Sequence, residues 1–372
     1  MAIERHLYPG NNTPYGFFSY YQYILGQREA SKIVCIKGGP GVGKSTFMKK
    51  IAEEFLEKGE DIDFMHCSSD PDSLDGIVLK NKKIAFIDAT SPHVVDPISP
   101  GAVDSIVHLG EFWNEAGIRA NKIGVIESNE KIKRWFSLGY NYLAAAKNIY
   151  DNLSIVYDTA IENAEIYKLT AKIVGDELSH KEICLKPGDV KKYFASAITP
   201  KGCQNHIRNL IEGYKKIYLL NGPIGVSSEA LLNVFSEGAV YRGYNIEQYY
   251  CSMKPDRKLE HLLVPELSVA FVSTNSYHDV EPWQLVNGKD GEERYPELAL
   301  IDWSDIIEWN KLEGFKDFIE HSLSAMDQLL EDAIGCIKNA KKEHDVLETY
   351  YIPNMDFKKI EDLRKEIIAK IQ

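Results

Sequence analysis

The chain lacks the features of a membrane-spanning or secreted protein. Its 372 residues contain no run of about 18 apolar residues, so no membrane span is expected. The opening MAIERHLYPG has no apolar stretch, so no secretory signal is expected either. The six cysteines are scattered without a C-x-x-C pair, which argues against a disulfide framework and a zinc site. Together these absences predict a cytoplasmic protein.

Basic residues are outnumbered by acidic ones, 43 against 55, which gives a net charge of -12 at pH 7. Nucleic-acid binding depends on neutralising phosphates, so this balance argues against a nucleic-acid partner. The remaining composition, 44% hydrophobic and 26% charged, is that of a globular chain long enough for two domains.

A second glycine-rich loop lacks the residues that bind phosphate. The stretch IYLLNGPIGVSSEALL (217–232) aligns without a gap on IVCIKGGPGVGKSTFM (33–48). The Gly-Lys-Ser of residues 43–45 is replaced by Ser-Ser-Glu at 227–229. The second loop therefore keeps the strand–turn–helix pattern of the first but lacks its phosphate-binding residues.

Further matches follow in the same order along the chain, and they indicate a tandem duplication. We predict two domains, residues 1–189 with an intact loop and residues 190–372 with a degenerate one. The matching pairs are TPYG (13–16) with TPKG (199–202), HCSSDPD (66–72) with YCSMKPD (250–256), IAFIDATSPHVVDP (84–97) with VAFVSTNSYHDVEP (269–282), and AKNIYDNLSIVY (146–157) with AKKEHDVLETYY (340–351).

Each half reads as alternating strands and helices. An apolar strand precedes the glycine-rich turn and a helix follows it, while IAFID and VAFVS are typical of strands buried on both faces. This order predicts an α/β fold with two doubly wound, mainly parallel sheets. Apolar residues at three- and four-residue spacing then predict amphipathic helices at the end of each half, packed on or beside its sheet.

The first loop fits the pattern G-x-x-x-x-G-K-[ST] between a strand and a helix. Glycines let backbone N–H groups converge on phosphate oxygens, and the helix N-terminus adds its positive end. Lys44 is predicted to reach the β- and γ-phosphates, and the Ser45 hydroxyl to bind Mg²⁺. The predicted nucleotide-binding residues are Gly38, Gly39, Pro40, Gly41, Val42, Gly43, Lys44, Ser45 and Thr46.

Asp88, at the end of IAFID, fits the acidic residue that holds magnesium opposite such a loop. We therefore predict a magnesium site at Ser45 and Asp88. Ser273 aligns with Asp88, so the second half lacks the acid as well as the lysine. Glu229, at the position of Ser45, is expected to fill the second loop with its own carboxylate.

These residues resemble those of the P-loop NTPases. More narrowly, the GKST loop, the C-S-x-x-P-D turn and the TP-x-G segments are similar to a bacterial family of tandem P-loop ATPases of this length. The resemblance covers nearly the whole chain and implies ATP binding. Members of that family often keep a lysine in the second half, and this chain departs from them there.

Hydrolysis also needs a group that activates water, but Ala89 stands where many ATPases place a glutamate after the acid. The candidates are His93, Asp96 and His66, although His278 matches His93 in the degenerate half. Arg134 is the candidate for stabilising the transferred phosphate from a lid, with Arg119 as a second choice.

The main hypothesis is a Mg²⁺-dependent ATP-binding protein with slow hydrolysis in the first half. The nucleotide would act as a conformational switch read by the degenerate half or by a protein partner. ATP is favoured over GTP because Asn121-Lys122-Ile123-Gly124 lacks the aspartate of a guanine-binding motif. The alternative is a kinase for a nucleotide or small metabolite, but few arginines are present in the first half to hold a second phosphorylated substrate.

Overall fold

Two six-stranded sheets form the centre of the computed structural model, which describes residues 2–92, 94–278, 280 and 296–371. The first-half strands are β1 (Glu4–Leu7), β2 (Gly10–Thr13), β3 (Gly16–Ser19), β4 (Lys32–Lys37), β5 (Ile62–His66), β6 (Leu74–Leu79), β7 (Ile84–Asp88) and β8 (Asp104–His108). The second-half strands are β9 (Val190–Tyr193), β10 (Ser196–Thr199), β11 (Gly202–Asn205), β12 (Lys216–Asn221), β13 (Ile246–Tyr250), β14 (Leu259–Val264), β15 (Val269–Thr274) and β16 (Glu297–Asp302).

Both sheets have the same strand order. The first runs β1-β5-β6-β7-β4-β8 and the second β9-β13-β14-β15-β12-β16. The short hairpins β2-β3 and β10-β11 also correspond in position along the chain. The aligned sequence segments of the two halves thus adopt the same local topology.

The sheets are mainly parallel, as predicted, but each contains one antiparallel strand: β14 in the second sheet, and β6 in the first, which runs antiparallel to both β5 and β7. The prediction missed this strand. Only residues 67–73 separate β5 from β6, and a parallel crossover needs a dozen or more residues. The chain must therefore turn straight back. The strand LDGIVL is buried along its whole length, so it shows no alternation of apolar and polar residues.

The faces of the sheets are covered differently from the doubly wound arrangement that we predicted. Ile33 and Cys35 of β4 point inward and share one apolar core with Ile217 and Leu219 of β12. Val34 of β4 points to the opposite face, against the helices. The two sheets thus pack face to face, and helices cover their outer sides.

Each helical tail covers the sheet of the other half, which corrects the prediction that it packs beside its own sheet. Helix α8 (Phe357–Ile371) contributes Ile360 and Ile368 to the core around Phe47 in α1 (Lys44–Glu57), and α4 (Asn163–Leu178) contributes Ile166 and Ile173 to the second half. The helices are α1 (Lys44–Glu57), α2 (Glu115–Ala120), α3 (Lys122–Asp158), α4 (Asn163–Leu178), α5 (Ile207–Leu210), α6 (Glu229–Tyr241), α7 (Lys316–Tyr351) and α8 (Phe357–Ile371).

The crossing is made by the two longest helices, α3 with 37 residues and α7 with 36, which pack antiparallel. Lys131 pairs with Glu343 at 3.6 Å, and a Cβ atom on Gly139 would lie 3.3 Å from Cys336 Cβ. Within the described residues, none of the helices combines the length and apolarity needed to cross a membrane.

Candidate nucleotide-binding site

The predicted phosphate loop connects β4 to α1 through residues 38–43. Gly41 has φ +67° and Gly43, which precedes the first helical residue, has φ +86°. Side chains rarely tolerate this left-handed conformation, so glycine is required at both turns. The loop enters the helix without a side-chain cap.

The loop presents unpaired backbone donors. Among the described residues, the N–H groups of residues 41–46 make no hydrogen bond. These groups surround the N-terminus of a 14-residue helix, where the peptide dipoles add about half a positive charge. Such an arrangement favours a phosphate group.

Lys44 and Asp88 lie together at the base of this loop. The Lys44 ammonium donates to the carbonyl oxygens of Gly38 and Gly39, at 3.1 and 2.9 Å, and lies 3.6 Å from Asp88 Oδ2. The other Asp88 oxygen accepts a hydrogen bond from the Thr90 N–H at 3.0 Å. Both charged side chains are largely buried, so their mutual attraction is only weakly screened.

Ser45 is positioned by the strand that the sequence did not reveal. Its hydroxyl oxygen accepts a hydrogen bond from the N–H of Leu74, the first residue of β6, at 3.0 Å. A hydroxyl has two acceptor lone pairs, so one remains for a cation. The oxygens of Ser45 and Asp88 are of the type that Mg²⁺ prefers. Thr46, the next residue, is exposed.

The outer side of the loop is covered by the end of α7 and the start of α8, which come from the second half. A Cβ atom on Gly39 would lie 2.9 Å from Tyr351 Cε1. At Gly41 it would lie 3.0 Å from Ile352 Cγ1 and 3.2 Å from Glu348 Cβ. Sequence reasoning missed this contact, because periodicity shows which face of a helix is apolar but not what it covers.

Of the candidates for activating water, His66 is already fully engaged. Its Nε2 lies 2.9 Å from His6 Nδ1, its Nδ1 lies 3.2 Å from the Pro71 carbonyl, and its ring stacks on His206 at 4.7 Å. Burial, followed by the neighbouring histidines, lowers the pKa of His66 to about 3. His66 is therefore a neutral structural residue between the two halves.

The other candidates are not assembled at the loop. Asp96 forms an ion pair with Lys37 at 2.9 Å, and His93 lies outside the described residues. Arg119 is exposed and pairs with Glu115 on its own helix. Arg134 is exposed on α3 and has no hydrogen bond or ion pair among the described residues.

In the second half, a side chain of the protein occupies the corresponding loop. Ser228, at the position of Lys44, is buried and accepts a hydrogen bond from the Trp303 indole N–H at 2.8 Å. The Glu229 N–H donates to the Ser227 hydroxyl at 3.2 Å. No hydrogen bond among the described residues reaches the Glu229 carboxylate, so the tryptophan, rather than the expected carboxylate, fills this loop.

We predict that Ser228→Lys alone creates no second ATP site. The longer side chain must displace the Trp303 ring, which lies 3.0 Å from where a Cβ on Gly222 would be. The acid is still absent, because Ser273 stands at the position of Asp88. Calorimetry on the variant should give the same ATP stoichiometry as the wild-type protein; one additional site would contradict this account of the loop.

Comparison with known proteins bears on the first half. A family model described as Novel STAND NTPase 3 matches residues 19–91, which include the loop and Asp88. No curated protein and no solved structure matches the chain. Over residues 19–91 the chain is thus similar to a P-loop NTPase-like family, which suggests nucleotide-binding NTPase activity.

Proposed function

We propose that the protein binds Mg²⁺–ATP in the loop of residues 38–46 and hydrolyses it slowly. The observation that carries this proposal is the geometry of Lys44, which lies 3.6 Å from Asp88 beneath a loop with unpaired N–H groups. Triphosphate oxygens would replace the Gly38 and Gly39 carbonyls as acceptors for Lys44.

Ser45 and Asp88 would hold the magnesium ion. When bound, the ion neutralises charge on the β- and γ-phosphates. In the first half, Asp88 keeps one oxygen without a hydrogen bond among the described residues, and Lys44 is its one ion-pair partner there. The donor set therefore fits a hard divalent cation.

We further propose that nucleotide state is transmitted to the second half through α7. Residues 348–352 contact the loop, and the same helix packs along α3, whose end contacts the degenerate loop. A Cβ atom on Gly225 would lie 3.0 Å from Leu153 Cβ. Movement of the nucleotide-binding loop would thus shift a rigid helix pair that reaches the other sheet.

Asp88→Asn tests the catalytic part of this proposal. The amide is isosteric but binds Mg²⁺ more weakly, so we expect Mg²⁺-dependent ADP release to fall by about 100-fold, or roughly 2.7 kcal/mol of transition-state stabilisation. The measurement is ADP formation with Mg²⁺ and with excess EDTA.

Asp96→Asn is the matched control, because it removes an exposed carboxylate that pairs with Lys37 at the same sheet edge. It should leave ADP release unchanged. Equal rates in the wild-type and Asp88→Asn proteins would show that Asp88 does not hold a catalytic metal.

A further inference from the structure

Among the described residues of the first half, none of the predicted candidates for activating water is free at the phosphate loop. Ala89 follows the acid, while His66 and Asp96 are committed to other partners. Because α7 of the second half covers the loop, a polar residue of this helix could supply the missing group.

The side chain of His344, on this helix, is 39% exposed, but one of its ring nitrogens is buried. His344 Nδ1 is buried without a hydrogen bond and lies 3.7 Å from Glu348 Oε1, one turn further along α7. Glu348 itself contacts the loop, since a Cβ atom on Gly41 would lie 3.4 Å from its Cα. One turn in the other direction, Lys341 pairs with Asp70 at 3.5 Å, in the turn that follows β5.

His344 therefore lies on α7 between the residue that contacts the phosphate loop and the residue that pairs with the turn after β5. In open α/β sheets, ligands bind in the crevice at the carboxyl ends of the strands, and this is where both contacts are made. His344 is part of the second half of the chain, but its helix lies against the first half.

The degenerate site provides the comparison. Helix α3 covers it as α7 covers the intact loop, and residues 146–157 align with 340–351. Lys147 and Asp151 retain the structural ion pair, at 2.6 Å, that Lys341 and Asp345 make in α7.

Several aligned positions differ in chemistry, and two of them are those of His344 and Glu348. They are occupied by Tyr150 and by Ser154, whose hydroxyl donates to the Gly225 carbonyl at 2.9 Å. The degenerate half thus has no counterpart of His344 and Glu348. Its loop also has no counterpart of the Lys44 ammonium, the Ser45 hydroxyl or the Asp88 carboxylate. Their absence from the degenerate half is what a role in the chemistry of the intact site would produce.

We propose that His344 accepts the proton of the attacking water in ATP hydrolysis, and that Glu348 positions its ring. This inference rests on the function proposed above. The water oxygen forms a bond to the γ-phosphorus, the bond from that phosphorus to the bridging oxygen breaks, and its electron pair stays on ADP. One water proton passes to the free imidazole nitrogen, and the ring later returns it to solvent. Nδ1–H would donate to Glu348, which fixes the tautomer.

The surroundings keep the ring able to accept a proton. Burial lowers the pKa of His344, and Lys341 acts in the same direction, against the raising effects of Glu348, Asp345 and Asp70. The imidazole is therefore neutral at pH 7.

The test is steady-state kinetics and ATP calorimetry on His344→Gln. We expect kcat to fall by about 100-fold or more, because general-base catalysis contributes roughly 10²–10⁴. The Kd for ATP should stay within about 3-fold of the wild-type value, since Lys44 and the loop are intact. His321→Gln, at an exposed position on the same helix, is the control and should leave kcat unchanged.

Glu348→Gln distinguishes a role in orienting the His344 ring from a role in packing, because glutamine has the same shape as glutamate and still packs against Gly41. We expect kcat to fall by about 10-fold with KM unchanged, and Glu348→Asp to recover part of the rate. An unchanged kcat in a folded His344→Gln protein overturns the assignment while the proposed ATPase stands. A wild-type protein that binds ATP yet releases no ADP overturns both.

Discussion

Lys44→Ala is expected to abolish ATP binding. The ammonium supplies charge-assisted hydrogen bonds to phosphate, each worth about 1.5–3 kcal/mol. Losing two of them corresponds to at least a 100-fold weaker Kd, since 1.4 kcal/mol is a factor of ten. The alanine also leaves Asp88 without the cation that lies 3.6 Å away. Calorimetry should show about one ATP per chain for the wild-type protein and none for the variant.

Lys58→Ala is the matched control for this experiment. It removes the same charge at the far end of the same helix, where Lys58 pairs with Glu54 at 2.8 Å. Its ATP affinity should equal that of the wild-type protein. Binding that survives Lys44→Ala would place the nucleotide elsewhere, and two sites in the wild-type protein would mean that the second loop is active.

The local elements around the loop could be predicted because each follows from short-range chemistry. A buried apolar strand, glycines at left-handed turns and an amphipathic helix all leave a signal within about 15 residues. The strand β6 has no such local sequence signal. Gly76 interrupts it, and all six of its residues are buried, so neither periodicity nor composition marked it.

The assembly of the two halves could not be predicted from such signals. An amphipathic helix must bury its apolar face, but two sheets with the same strand order offer equivalent surfaces. The crossing of α3 and α7 settles which sheet each tail covers, and it brings Glu348, with His344 one turn away, against Gly41 of the loop. The alignment did contain one usable signal, since His344 and Glu348 fall on Tyr150 and Ser154 of the half with the degenerate loop.

A buried ion pair also joins the two halves, and its removal should have a large effect on stability. Arg5 of β1 donates through Nη1 to Glu247 Oε1 of β13 at 3.0 Å, and through Nη2 to the Tyr249 hydroxyl at 3.2 Å. Burial raises the pKa of Glu247, but the charge of Arg5 and its hydrogen bonds outweigh that effect and hold the pKa at about 2. The carboxylate is thus ionised in the interface between the two sheets.

Arg5→Ala is expected to lower the free energy of unfolding by about 3–5 kcal/mol at pH 7, because it leaves Glu247 buried without its partner. A carboxyl whose pKa is lowered on folding stabilises the protein above its unfolded value, here 4.5, and that contribution is lost as the pH falls towards 2. The difference between wild type and variant should therefore shrink across this window in urea unfolding experiments. Arg119→Ala, which breaks an exposed pair with Glu115, should cost under about 1 kcal/mol. If the two variants were equally stable, Arg5 would not hold the halves together.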